Sequence, residues 1–215
     1  MNATKQIAAL FDFDGVIMDT ETQYTLFWNE QGLKYLNEKE FGLRIKGQTL
    51  TQIYDKYLSG RLAAQQEITT LLNAFEKQMS YEYIPGVEAF IADLRRHGVK
   101  VAVVTSSNKE KMKNVYKAHP QFKGMIDHIL TGEMFARSKP APDCFLFGME
   151  ICGVTPENTY VFEDSFHGLQ AGMTSGATVI GLATTNTAEA IAGKAHHIID
   201  DFTAMNCDKL FALHR

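Results

Sequence analysis

The sequence predicts an α/β fold, a doubly wound parallel sheet with an all-helical unit inserted near its start, and three observations carry that expectation. The run Ile7-Ala8-Ala9-Leu10-Phe11 is apolar throughout, without the polar alternation of a half-exposed strand, and so reads as a strand buried on both faces. Five more strand-like runs follow, at residues 99–104, 128–130, 159–162, 177–182 and 197–199, and they alternate with segments of helical spacing. From about residue 18 to residue 83 that rhythm stops, and only helical spacing is found.

Taken in order, the first strand runs into Asp12-Phe13-Asp14-Gly15-Val16. In open α/β sheets ligands sit beyond the carboxyl ends of the strands, so both aspartates point to a functional crevice. Asp and Gly are also ordinary strand-to-loop punctuation, which by itself would give the same letters. In the interrupting stretch, Leu26, Phe27, Glu30 and Leu33, then Leu71, Leu72, Phe75 and Met79, lie at helical spacing and are expected to mark helix faces. Pro85-Gly86 closes it. The expected division is therefore a core of residues 1–17 and 84–215 and a helical unit of residues 18–83, hung over the crevice. Gly98, after residues 91–97, and Gly176, after residues 169–175, read as helix C-caps that hand the chain into strands. Lys109, Lys111 and Lys113 read as a solvated helix face. No internal repeat interrupts this order.

Composition narrows the function. The chain is 45% hydrophobic and 21% charged with a net charge of −4, an ordinary globular balance that lacks the basic stripe of a nucleic-acid binder. Cys144, Cys152 and Cys207 are odd in number and lack metal-ligand spacing, so free thiols in a reducing compartment are expected. The first residues carry one lysine and too short an apolar run for a signal peptide or a membrane span. The expectation is a soluble cytoplasmic protein, with a monomer as the default.

Three further strand ends carry chemistry. Thr105-Ser106-Ser107-Asn108 offers hydroxyls, an amide and a helix start, which together suit an anion, although Ser or Asn there also caps a helix. Lys139 stands in Ser138-Lys139-Pro140-Ala141-Pro142, where proline restricts the backbone. Glu163-Asp164-Ser165 ends another apolar run and precedes Gly168. A nucleophile candidate, hydroxyl donors, a lysine and an acidic pair at four strand ends suit phosphoryl transfer, which needs charge neutralisation and positioning above all. Carboxylates with water suit Mg²⁺ better than zinc, and Asp12, Asp14 and Asp164 are the candidates to hold it. One carboxylate of the Asp12–Asp14 pair would attack phosphorus and the other would serve as acid and base.

Those four segments resemble the motifs of the haloacid dehalogenase superfamily, in the subgroup with a helical cap inserted after the first motif. The resemblance spans almost the whole chain, with Asp12-Phe13-Asp14-Gly15-Val16 as the first motif, Thr105 as the second, Lys139-Pro140 as the third and Glu163-Asp164 with Gly168 as the fourth. It implies a Rossmann-like core in which Asp12 is the nucleophile and Asp14 the acid/base, with its backbone carbonyl on Mg²⁺. It also implies Thr105 as a phosphate donor, Lys139 as partner of nucleophile and phosphate, and Asp164 as completing the metal site with Glu163 close by. Gly15, Ser106, Ser107 and Asn108 are the remaining candidates for phosphate or substrate binding. Asp14 favours phosphate esters over haloacids, because halide departs without a proton.

Within the capped subgroup the chain is most similar to β-phosphoglucomutases and small-metabolite phosphatases. Mutases of this type carry a cap histidine where Tyr24 aligns and a cap arginine where Leu50 aligns, with Lys46 or Arg44 as substitutes if the loop differs. Without a guanidinium for the distal phosphate, hydrolysis is the expected reaction, on small phosphorylated metabolites and with Mg²⁺. A phosphohexomutase is the alternative, and a metabolite-binding protein with little catalysis is a further one. Trp28, Tyr24 and Tyr54 either pack the cap or line a sugar-sized pocket.

Overall fold

The structure, a computed structural model, describes residues 5–213. Six strands form one parallel sheet: β1 (Ala8–Phe11), β2 (Lys100–Val104), β3 (His128–Leu130), β4 (Thr159–Glu163), β5 (Thr178–Leu182) and β6 (His197–Ile199), in the order β3-β2-β1-β4-β5-β6. The strand boundaries lie within a residue or so of the apolar runs: Val99 and Ala177 fall just outside their strands, and β4 extends to Glu163.

Alternation along β1 feeds two cores at once. Ala9 and Phe11 join Val101, Val103 and Phe162 on one face, while Ala8 and Leu10 join Ala102, Val104 and Val161 on the other. The first face is covered by α5 (Val87–Arg96), α6 (Lys109–Ala118) and α11 (Cys207–Ala212), through Phe90, Ile91, Leu94, Met112, Val115 and Leu210. The second is covered by α8 (Asp143–Cys152) and α9 (Phe166–Ser175), through Phe145, Met149 and Leu169. Burial on both faces is why β1 reads as an unbroken apolar run. Short helices α7 (Phe122–Met125) and α10 (Ala188–Ile191) complete the layers. Cys144, Cys152 and Cys207 are free and buried, and among the described residues no helix is long and apolar enough to cross a membrane.

Between β1 and α5 the chain forms α1 (Glu21–Leu36), α2 (Phe41–Arg44), α3 (Leu50–Tyr57) and α4 (Leu62–Glu76), which close around their own cluster of Phe27, Trp28, Phe41, Ile45, Ile53, Ile68 and Leu72. The buried face of α1 differs from the expected one. Leu26 is 64% exposed and Leu33 51%, whereas Phe27, Trp28, Gln31 and Gly32 face inward. Gly32 is the reason: a Cβ there would overlap Phe41, so the missing side chain lets α2 close on α1 and turns the stripe away from the leucines. On α4, likewise, Leu71 faces water while Ile68, Leu72 and Glu76 are buried.

Candidate active site

Sheet register brings the strand-end residues together. Phe11 pairs with both Val103 and Phe162, so Asp12, the next residue, lies between the ends of β2 and β4, and its N–H donates to the Phe162 carbonyl at 3.0 Å. The chain order reverses on either side of β1, which makes this the crevice where α/β sheets bind ligands. Lys139 reaches it from the β3–α8 connection with its ammonium buried. It donates to Asp12 Oδ1 at 2.5 Å and Glu163 Oε1 at 2.6 Å. Asp12 Oδ2 has no hydrogen-bond partner among the described residues.

Glu163 organises the loop after β4. Its Oε2 accepts from the N–H groups of Asp164 and Ser165 and from the Ser165 hydroxyl, and that hydroxyl in turn caps α9 by accepting from the Gly168 N–H. A methyl group on Gly168 would fall inside the Glu163 carboxylate, which explains a glycine there. Thr105 Oγ1 accepts from the Ser107 N–H, and Asn108 caps α6 by accepting from the Lys111 N–H, so the plain capping reading of Asn108 holds. Ser106, Ser107 and Asn108 also line a cavity of about 530 Å³ with Asp12, Asp14, Lys139 and Asp164.

The fit of a divalent cation can be judged from unpaired groups. Asp12, Glu163 and Asp164 each place a carboxylate oxygen within 4.8 Å of the others, yet both Glu163 oxygens are already taken by protein donors. Asp164 Oδ2 is buried without a partner, as is Thr185 Oγ1. Both flank Gly15, whose φ of +76° and missing Cβ admit the Asp164 carboxylate. An orphaned carboxylate oxygen beside Asp12 is a donor set that fits a hard cation such as Mg²⁺.

The same crowding sets the acidities. Burial pushes Asp12 up, Lys139 opposes it, and Glu163 and Asp14 add to the rise, leaving Asp12 at about 7. Lys139 divides its charge between two carboxylates, which is why its attraction does not prevail. Burial would lower the Lys139 ammonium, but Asp12 and Glu163 together hold it above its usual range. Asp164 lies well above the ordinary carboxylate value, through burial first and then Glu21, Glu163 and Asp12. Because folding raises Asp12 from 3.8 to about 7, its contribution to stability is complete below about pH 4 and is lost as pH rises through 7. In chelator, Tm is therefore expected to fall between about pH 5 and pH 8, by less in Asp12→Asn, and Mg²⁺ to restore more of it at the higher pH. Parallel Tm curves for the two proteins in chelator would contradict this.

The helical unit closes the cavity from above. Gln52 Nε2 donates to the Lys139 carbonyl at 3.0 Å and His167 Nδ1 to the Lys46 carbonyl at 3.0 Å, so α3 and the loop before it are fastened to the loops that carry the site. From this side Tyr24, Trp28, Leu50, Glu21, Lys46 and Glu76 line the cavity. Trp28 is also part of the helical core, and Tyr54 is not at the cavity, its hydroxyl meeting the Gln65 carbonyl and Thr69. Lys46 pairs with Glu21 at 3.1 Å. Arg44 is held elsewhere, by Glu38 and the rings of Phe41 and Tyr57.

A further expectation is overturned. Lys111 is not on a solvated face but 1% exposed, with its ammonium on Asp14 Oδ1 and, at 2.9 Å, on Ser107 Oγ. Lys109 and Lys113 do face water. Asp14 also accepts from the Thr20 hydroxyl at Oδ1 and from Ser107 Oγ at Oδ2, 2.8 Å. Nothing local distinguishes Lys111 from its neighbours; it sits one position before the buried Met112, on the edge of the helix that turns inward.

The chain is also similar to known proteins. A family model described as haloacid dehalogenase-like hydrolase matches residues 9–182. The chain is similar to hexitol phosphatase A of Escherichia coli (strain K12), 27% identical over 180 residues that cover 80% of this chain and 81% of that protein. It is also similar to a β-phosphoglucomutase of Mycobacterium bovis, 25% identical over 228 residues covering 90% and 87% of the two chains. Among solved structures, a HAD hydrolase of family IA, variant 3, from Entamoeba histolytica has the same fold, with a TM-score of 0.82 over 97% of this chain and 99% of that one at 22% identity.

Proposed function

The chain belongs to the haloacid dehalogenase-like hydrolases, and we propose that it hydrolyses phosphate monoesters of small metabolites, sugar phosphates among them, through an aspartyl-phosphate on Asp12. The observation that carries this reading is the buried Lys139 bridge, which holds Asp12 by one oxygen and leaves Oδ2 unpartnered at the cavity. That oxygen attacks phosphorus as the ester P–O bond breaks, and Asp14 gives the departing alkoxide its proton. Water then attacks the aspartyl-phosphate and returns a proton to Asp14, which frees Asp12 and phosphate. Lys139 and the Thr105 and Ser106 end of β2 supply positive charge and donors for the phosphoryl oxygens.

Asp12 and Asp164, with the backbone carbonyl of Asp14 and Glu163 close by, would hold Mg²⁺, which when bound neutralises phosphoryl charge. Residues 18–83 act as a cap over a core of residues 1–17 and 84–215, and its closure excludes bulk water from the ester. The cap side favours hydrolysis over mutase chemistry. Leu50 is apolar, Lys46 is already paired with Glu21, Arg44 is engaged outside the cavity, and Glu76 adds a second carboxylate. A bisphosphate held by its far end would meet carboxylates where it needs a cation.

The test is phosphate release from a panel of sugar, polyol and nucleotide monophosphates with Mg²⁺, beside a coupled assay for conversion of β-glucose 1-phosphate to glucose 6-phosphate. Release without isomerisation is expected. Isomerisation outrunning release would overturn the hydrolase in favour of a mutase, and no turnover of any ester would overturn both.

A further inference from the structure

We propose that Lys111 is a positioning residue for the acid/base Asp14, an inference that rests on the role given to Asp14 above. Its side chain is 1% exposed on a helix whose other first-turn residues, Lys109 and Glu110, face solvent. A buried ammonium requires compensation, and this one meets Asp14 Oδ1, Ser107 Oγ at 2.9 Å, the Tyr24 ring at 4.4 Å and the Phe13 ring at 5.3 Å, with the Glu76 and Glu21 carboxylates within electrostatic reach. No bulk water takes part, so the ammonium has one fixed place and the carboxylate it holds has one fixed orientation.

The consequence follows from counting lone pairs. Asp14 Oδ1 takes two donors, Lys111 and the Thr20 hydroxyl, and is saturated. Oδ2 takes one, the Ser107 hydroxyl, and keeps an acceptor position. Lys111 thereby fixes which oxygen of Asp14 exchanges a proton with the leaving group. Its hydrogen bond to Ser107 Oγ fixes the same hydroxyl that attends Oδ2. The lysine also spans the two halves of the molecule: Tyr24, whose ring it faces, belongs to the cap helix α1 and donates its hydroxyl to Glu76 of α4 at 2.7 Å. Cap closure and Asp14 orientation thus meet at one side chain.

The test compares kcat/KM for an alkyl phosphate and for p-nitrophenyl phosphate, whose leaving group departs without protonation. This ratio reports the first step, where Asp14 acts as acid. Asp14→Ala is the reference and is expected to lose the alkyl ester selectively, within the range of about 10²–10⁴-fold typical of a lost general acid. Lys111→Met is expected to show the same selectivity at roughly a tenth of that size, with KM little changed. Equal losses on the two esters, or no loss, with Asp14→Ala still selective, would overturn the positioning role and leave Asp14 intact. An unselective Asp14→Ala would overturn the acid assignment itself and the proposal with it. Should Lys111→Met not fold, Lys111→Gln, which keeps a donor but no charge, is read by the same ratio.

Discussion

Asp12→Asn is expected to lower Mg²⁺-supported phosphate release on the order of 10⁴-fold or more while leaving the fold intact. The amide matches the carboxylate in shape and still offers an oxygen to Lys139, so the bridge to Glu163 survives. What disappears is the attacking lone pair of Oδ2. Stability is expected to hold or to rise, because burial and the Glu163 and Asp14 charges already press Asp12 towards its protonated form. The measurement pairs phosphate release with a thermal melt. Activity within about tenfold of the wild type, in a folded protein, would remove Asp12 from the role of nucleophile.

Lys139→Met is the second large effect, and it falls on stability as well as on turnover. The ammonium is buried to 2% exposure between Asp12 and Glu163, and Asp164 lies in the same cluster. Removing one partner of a buried ion pair leaves the other uncompensated, at a cost of about 3–5 kcal/mol. For a chain of this size that corresponds to a fall in Tm of roughly 10 °C in chelator. Mg²⁺ is expected to recover part of the loss, since a bound cation restores positive charge to the same three carboxylates. Turnover is expected to stay at least about 10³-fold down even with Mg²⁺, because both the nucleophile and the phosphoryl group lose their fixed donor. A melt in chelator within about 2 °C of the wild type would mean that Lys139 does not serve as the counter-ion of the cluster.

How much of this was legible beforehand depended on whether the signal was local. The four inner strands could be read because burial on both faces leaves an apolar run in the letters themselves, and the half-buried edge strands β3 and β6 by their short apolar runs between helical segments, while Asp12, Lys139, Glu163 and Asp164 could be grouped because parallel strands deliver their ends to one edge. The face of α1 could not, because its decisive residue is Gly32, whose contribution is the absence of a side chain. Lys111 was hidden for the opposite reason. It looks like Lys109 and Lys113, and only the packing of Tyr24 and Phe13 around its ammonium separates it from them. Glu76 is similar: a helical glutamate reads as solvent-facing until α4 is placed against the Tyr24 hydroxyl.

The sheet order also bears on how the molecule is made. β1 precedes both of its sheet partners, which begin at residues 100 and 159, so one of its edges stays open until residue 159 and beyond have been synthesised. The four helices that follow it carry a core of their own and are complete by residue 76. A nascent chain therefore holds a finished helical unit beside an unpaired apolar strand bearing both aspartates. Pairings this distant in sequence slow folding, and the waiting strand is the segment for which a chaperone has most to do. Translation that stops short of Glu163 yields neither the closed sheet nor the carboxylate that shares Lys139 with Asp12, so the product is inert and exposed along the same edge.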